Sequence, residues 1–525
     1  MSEFDTPDIM LPEIMALHAR AHPRQAAVIC DGVTTDWASF DADMRNFARR
    51  LTELGLKRGD TIGVLADPST SAIMAQFGAL AAGIAIASLP VVVQADALLR
   101  MIVDSGAAAL VVSAQYRAAV QQMRSQLAIA ADRFILIGET APGWQSFDTP
   151  ARTVPLFALP AVDGEDTLCI LYSSGTTSLP KGIVLSHRCR LMTAFLTCSE
   201  FGYNARSVVI VAAALHSNTA WSLLIRAFLF GATAVVMTKF DATEFCRLVD
   251  RHRVTHTTVV PVQLQMILDV ADGFDLGSIQ TISSTGSSMA PALKQRIVAR
   301  FPTQFYEVYG LTEGVAAVLR PQDMTQHADS AGLPVLGNDI RIIGGDDAEL
   351  PAGERGEIVG YGPQLLRRYH NDDAKTAEAM WREPQSGRSF LRTGDIGYFD
   401  ADGYLHVVDR KKDMIVSGGY NIFSADIEAV IASHPDTVEA GVIAAPHEKW
   451  GETPVAFVVP RPSMQLQPEN FRLWVNERLG KHQRVSEIFY CESLPRNGSG
   501  KIVKPQLRER YQGIKSGSPL RSEAV

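Results

Sequence analysis

Between two apolar runs, the segment Leu171-Tyr-Ser-Ser-Gly-Thr-Thr-Ser-Leu-Pro-Lys-Gly-Ile-Val-Leu185 gathers hydroxyl side chains, glycine and one lysine into a short turn. Such a turn offers backbone N–H groups, hydroxyl donors and a positive charge to one small volume, a combination that suits a polyphosphate. A Walker loop would read G-x-x-x-x-G-K-[ST] and open a helix. Here Pro180 stands where the second glycine belongs, Gly182 replaces the final hydroxyl, and Ile183-Val184-Leu185 predicts a strand. The anion site is therefore expected as a nest of loop amides. The same residues also read as a Ser/Thr-rich hairpin loop with an exposed lysine.

Four other segments carry reactive groups. Tyr306-Glu-Val-Tyr-Gly-Leu-Thr-Glu313 ends a β-run, and Glu313 after a tight turn could hold Mg2+ bridging phosphates or stay solvated. Leu391-Arg-Thr-Gly-Asp-Ile396 predicts a turn at Asp395, whose carboxylate could accept both ribose hydroxyls or simply close a Gly-Asp hairpin. Asp409-Arg-Lys-Lys-Asp413 reads as a solvated charge run, and Pro495-Arg-Asn-Gly-Ser-Gly-Lys501 as a flexible loop with a lysine.

The elements that must position these groups alternate. A helix is predicted over Trp37–Leu54, with Phe40, Met44, Phe47, Leu51 and Leu54 on one face and Gly55 as its stop. Strands follow at 61–65, 84–89, 208–211, 232–237, 257–260, 279–283 and 304–308, with helices at 71–83, 241–251, 262–270 and 290–300 between them. Alternation of this kind implies parallel sheets with helices on their faces. From about Asp339, short strands with Gly and Asp turns predict a small antiparallel or barrel-like subdomain. After Asp413 a new α+β unit is expected, and residues 513–525 are expected to be disordered.

At 525 residues the chain exceeds the ~250–300 at which single cores stop growing. Hydrophobic content of 46% and charged content of 20% describe a soluble globular protein. A net charge of −8 argues against a nucleic-acid partner. Cys30, Cys169, Cys189, Cys198, Cys246 and Cys491 show no C-x-x-C pair or metal spacing, which predicts buried reduced thiols in a cytoplasmic protein. The acidic start Met1–Asp8 lacks the order of a signal peptide. The uncharged stretch 68–95 is broken by Gln76, Gly78, Gly83, Ser88 and Pro90, so no transmembrane segment is expected.

Taken in order, these motifs resemble the adenylate-forming superfamily of acyl-CoA synthetases, adenylation domains and luciferases, closest to the acyl- and aryl-CoA ligases. The resemblance runs from about Leu11 to Arg510. It implies an α/β fold with a large N-terminal domain (1–410) of two parallel α/β sheet subdomains and a β-barrel-like subdomain. A hinge at 411–412 would join it to a small mobile α+β C-terminal domain (413–525). It also implies ATP, Mg2+ and coenzyme A as cofactor and co-substrates, a small carboxylic acid as partner, and a possible homodimer.

Residue by residue, the resemblance assigns Ser173, Ser174, Gly175, Thr176, Thr177 and Lys181 to the β- and γ-phosphates. Glu313 would ligate Mg2+ and Thr312 lie near the α-phosphate. Gly286 and Tyr309 would border the adenine, Asp395 bind the ribose, and Arg410 lie beside it. Lys501 would bridge the carboxylate and the α-phosphate, with Thr312, Glu313 and His216 completing the catalytic set. A lysine ~4 Å from that anion pair contributes about 4 kcal/mol at an effective dielectric near ~20. Lys412 matches the hinge, and Gly418 and Gly419 match the turn lining a pantetheine channel. Trp450 resembles a position on the CoA nucleotide, or reads as a core tryptophan. Departures from the family pattern include Ser178 for glycine, Asn497 for threonine, and Ala213-Ala-Leu-His216 for Pro-Leu-x-His.

His216 and Ser217 fall where the family builds its acyl wall and supply no aspartate for a substrate ammonium. Thr285, Val308, Gly310, Val315 and Ala316 complete a small or apolar wall, which predicts a bulky aromatic, alicyclic or medium- to long-chain acid. No charge in these segments invites a second substrate carboxylate. The reading is an AMP-forming carboxylic acid:CoA ligase, with carrier-protein loading and luciferase-like oxygenation as alternatives.

Overall fold

The computed structural model describes residues 10–91, 93–148, 157–173, 181–287, 289, 291–301, 304–462, 467–496 and 502–516. Contacts divide the chain into two compact units. One takes 1–328, 332–339 and 361–391; the other takes 329–331, 340–360 and 392–525.

In the first unit the predicted helix forms over Trp37–Glu53, with Asp36 accepting from Ser39 N at 2.8 Å as its N-cap. Its Phe40, Met44, Phe47 and Leu51 are buried, each contributing about 1.5–3 kcal/mol of transfer free energy. Strands Thr61–Leu65 and Val208–Val211 have the predicted bounds. Among the described residues there is one nine-stranded and one eight-stranded sheet in this unit. The nine-stranded sheet runs parallel from Ala26–Cys30 through Thr233–Val236, Val208–Val211, His256–Val259 and Thr281–Thr285 to Phe305–Gly310. The eight-stranded sheet is parallel from Gln145–Ser146 to Thr167–Ser173. Both sheets carry antiparallel strands at their margins, where hairpins replace helical crossovers. One core cluster draws residues from both sheets and from the helices Trp37–Glu53, Thr70–Ala81, His187–Phe201 and Asn218–Phe230.

The second unit pairs Ser389–Phe399 with Leu405–Arg410 in antiparallel register and builds a five-stranded sheet around Thr437–His447 and Gly451–Pro460. Residues 340–360 and 392–410 fall with the C-terminal residues in this contact division, whereas the sequence expectation divides the chain at 410. The charged segment 409–413 is structured, not merely solvated. Asp409 Oδ2 accepts from Ser424 N and Oγ at 2.6 Å each, capping the Ser424–Ala432 helix, and Asp413 is buried against Arg508 at 2.7 Å. Disorder was expected from Gly513, but the helix Lys504–Lys515 runs through it. Ile514 packs with Leu507 and Tyr511 on a core cluster, and Lys515 pairs with Glu487 at 2.8 Å. Residues 517–525 lie outside the described residues.

All six cysteines are free, Cys491 half-buried and the others buried. No described helix is long and apolar enough to cross a membrane.

Candidate active site

The phosphate segment is held by an antiparallel hairpin of Thr167–Ser173 and Lys181–Ser186, in which Ser173 faces Lys181. Ser174, Gly175, Thr176 and Thr177 lie outside the described residues, as does the Ser173 side chain. Lys181 is half-buried at the mouth of the hairpin. Gly182 is explained by packing: the short strand Arg368–Tyr369 lies against Lys181–Ser186, and His370 N donates to the Gly182 carbonyl at 2.7 Å. A Cβ at Gly182 would stand 2.9 Å from the His370 Cβ.

The same short strand delivers Tyr369, whose hydroxyl donates to Glu313 Oε1 at 3.1 Å. Glu313 sits in the turn between Phe305–Gly310 and Ala316–Leu319, closed by Leu311 N on the Val315 carbonyl at 3.0 Å. Leu366 N donates to the Glu313 carbonyl at 2.8 Å, so the turn is pinned to the chain entering the Tyr369 strand. Gly314, at φ +114, lies so close to the Gln364 carbonyl that a Cβ cannot be accommodated. Burial and the Glu313 charge both push the Tyr369 phenol up, which keeps it a donor. Thr312 is half-buried beside Glu313.

The predicted acyl wall is brought together in part by sheet register. Thr285 pairs with Val308 on parallel strands, and Gly310 pairs with Ala316 across the hairpin. Gly286 follows Thr285 at φ +101, Tyr309 lies between Val308 and Gly310, and Val315 is buried. His216 and Ser217 lead into the Asn218–Phe230 helix, where Ser217 Oγ accepts from Ala220 N at 3.1 Å. His216 Nδ1 is buried without a partner among the described residues, and burial lowers its pKa, so the imidazole is neutral at neutral pH.

In the second unit Asp395 lies within the continuous strand Ser389–Phe399 and not in the predicted turn, because the strand continues by pairing with Leu405–Arg410. Asp395 is 3% exposed, faces Arg410 in register, and forms an ion pair with Arg410 Nε at 2.7 Å. Lys412 is an exposed residue, and partial desolvation of its ammonium group lowers its pKa. Gly418 and Gly419, both with positive φ, make the tight turn between Ile415–Ser417 and Tyr420–Ile422. A Cβ on Gly418 would stand 2.8 Å from the Trp450 ring, and Gly418 N donates to the Trp450 carbonyl at 2.8 Å. Trp450 is 45% exposed, with Lys449 Nζ 4.7 Å from its ring centroid, so it is not a core residue. Lys501 lies outside the described residues; its flanks are bracketed by an antiparallel bridge between Arg496 and Ile502.

The AMP-binding enzyme family matches residues 15–370, and the AMP-binding enzyme C-terminal domain matches 426–501. The chain belongs to the AMP-binding enzymes. It is 30% identical over 516 residues to the fatty acid–[acyl-carrier-protein] ligase ScoC of Streptomyces coeruleorubidus, covering 96% of each chain. It is 29% identical over 499 residues to a feruloyl-CoA synthase of Amycolatopsis sp, covering 94% of this chain and 97% of that one. The solved structure of o-succinylbenzoate CoA synthetase from Bacillus subtilis with its acyl-adenylate superposes with a TM-score of 0.82 at 26% identity, over 94% of this chain and 97% of that chain.

For an AMP-binding enzyme the donor set around Glu313 fits Mg2+. One Glu313 oxygen is oriented by Tyr369, and the other makes no hydrogen bond among the described residues. Mg2+ is ordinarily held by one or two carboxylates plus substrate phosphates, not by an all-protein cage. No group of three or more His, Cys, Asp or Glu among the described residues offers such a cage. Tyr369 is the residue that sequence reasoning missed. It stands in Arg367-Arg-Tyr-His370 with no spacing signal, and only the pairing of its two-residue strand brings it to Glu313.

Proposed function

We propose that this AMP-binding enzyme is an ATP-dependent carboxylic acid:CoA ligase working through an acyl-adenylate. The substrate carboxylate attacks the α-phosphate and expels pyrophosphate; the CoA thiol then attacks the acyl carbon and expels AMP. The Glu313–Tyr369 pair, tied through the Arg368–Tyr369 strand to the phosphate-loop hairpin, carries the reading. Glu313, oriented by Tyr369, would hold Mg2+, which when bound neutralises phosphate charge. Lys181 and the loop hydroxyls would bind the phosphates, Asp395 and Arg410 the ribose, and Lys501 would screen the meeting of two anions. Residues 411–412 would serve as the hinge between the half-reactions.

The Gly418–Gly419 turn beside an exposed indole favours a thin pantetheine chain with a nucleotide at its end. The small wall of Thr285, Gly286, Val308, Gly310 and Ala316 favours a bulky apolar acid, aromatic, alicyclic or medium- to long-chain. Carrier-protein loading is the second reading, favoured by the name of the ScoC relative. Acid-dependent ATP–pyrophosphate exchange followed by thioester formation with CoA separates them. Exchange without CoA thioester, but with transfer to a carrier protein, rejects the ligase. Lys501→Ala should lower exchange by roughly 10²–10³ while sparing transfer from supplied acyl-AMP. Lys412→Pro should spare exchange and block thioester formation.

A further inference from the structure

The helices His187–Phe201 and Asn218–Phe230 bury two arginines that the chemistry above leaves unused. Arg190 is 3% exposed. Its Nη1 donates to Asn218 Oδ1 at 2.7 Å and its Nη2 reaches Ser222 Oγ at 3.4 Å, while Nε is buried and has no partner among the described residues. Arg226 donates from Nε to Thr197 Oγ1 at 2.9 Å, with its guanidinium 5.3 Å from the Phe201 ring centroid. Among the described residues no carboxylate pairs with either arginine. The titratable groups that bear on Arg190 are Cys169, Cys189 and Arg226. Burial pushes the Cys169 thiol up to about 12 and the Cys189 thiol to about 11, so neither supplies negative charge at neutral pH.

Position makes the imbalance worse. Arg190 lies in the first turn of its own helix, and its guanidinium is hydrogen-bonded to Asn218, the first residue of the next. Both helix ends already carry positive macrodipole charge. The first amides of His187–Phe201 are taken by Asp166, Gly164 and Ser186, but the Asn218 and Thr219 amides have no acceptor among the described residues. A buried ion without a counter-charge is strongly unfavourable. Such a local conflict, with neutral hydrogen-bond partners but no counter-charge among the described residues, marks a functional position. Ser217, immediately before Asn218, caps that helix and belongs with His216 to the candidate acyl wall. The uncompensated cation is thus hydrogen-bonded to Asn218, the residue that directly follows that wall segment.

We propose that Arg190, with the first turn of the Asn218–Phe230 helix, forms an anion subsite for a second carboxylate on the substrate, remote from the one that is adenylated. A guanidinium and helix N–H groups together are the donors that recognise a carboxylate. The inference rests on the adenylation reading and refines it: the acid has an apolar body and an anionic far end. The wall segments gave no hint of this, because residue 190 lies outside them.

Matched acids test it. ATP–pyrophosphate exchange is measured with monocarboxylic acids and the dicarboxylic acids of equal length, aliphatic and aromatic. The best diacid should show a KM at least tenfold below its monoacid counterpart. Arg190→Met should raise the diacid-to-monoacid KM ratio tenfold or more, and Arg190→Lys should give an intermediate ratio. Arg190→Met should also keep or raise the melting temperature of the free protein, since it removes a buried charge; a purely structural arginine would lower it. A monoacid preference that Arg190→Met leaves untouched overturns the subsite and leaves adenylation standing. Absence of exchange with every acid counts against adenylation, and the subsite is then read from thermal shifts with diacid alone. Stabilisation of wild type but not of Arg190→Met supports it; equal shifts, or none, overturn it.

Discussion

Glu313 and Tyr369 stand 56 residues apart and meet through one hydrogen bond, so a single oxygen atom can be tested. Tyr369→Phe keeps the ring and removes the donor. Partners that orient a metal ligand are worth about 10–100-fold in metal affinity. We expect Tyr369→Phe to raise the Mg2+ concentration for half-maximal exchange about tenfold, with little change in unfolding midpoint. An unchanged Mg2+ profile would reject Tyr369 as the group that positions Glu313. At this scale the sequence was informative about charge and silent about partners. Glu313, Asp395 and Arg410 could be picked from motifs because their types and order are distinctive. Tyr369, Arg190 and the pairing of Asp395 with Arg410 depend on strand register and helix contact, which no local pattern encodes.

The amphipathic helix Trp37–Glu53 was legible because one face is buried, while Leu11–Ala21 and Ala95–Asp104, which also bury one face, were not predicted. Trp37–Glu53 shows its stripe plainly, whereas Asn218–Phe230 buries Ala220, Trp221 and nearly every residue through Leu229, and so shows none. Hence Asn218–Phe230 escapes a search for periodicity, and His187–Phe201 escapes one for apolar periodicity because its buried face includes His187, Arg190 and Thr197. Two element-level tests follow from turn and cap geometry. Gly314→Ala should cost about 1–3 kcal/mol in backbone strain alone, with the Gln364 carbonyl adding to it. A shift in urea midpoint reads this, and a neutral outcome would mean the turn can relax. Asp409→Ala removes the remote cap of the Ser424–Ala432 helix and should cost about 1 kcal/mol, visible as faster amide exchange at Ser424 and Ala425.

Across the whole molecule, burial of neutral histidines links stability to acidity. Burial takes His187 and His256 from the ordinary 6.5 down to about 4. The unfolded chain binds these protons near pH 6.5 and the folded chain only near pH 4. Their contribution is therefore full above about pH 6.5 and is lost as pH falls towards 4. The urea midpoint should drop between pH 7 and 5; a midpoint that rises over that interval contradicts neutral burial. The alternating α/β plan was readable from the sequence because it repeats a local rhythm. Its hairpin margins and the grouping of residues 340–360 with the C-terminal residues arise from long-range pairing that composition does not record. The setting of Trp450 has an optical consequence. Trp37 and Trp221 are fully buried, Trp381 is 4% exposed and Trp144 and Trp474 are half-buried, while Trp450 is 45% exposed beside the Gly418 turn. Its emission should be the most red-shifted and the most open to acrylamide, so the difference between the wild type and Trp450→Phe reads the rim of the candidate thiol channel without a label.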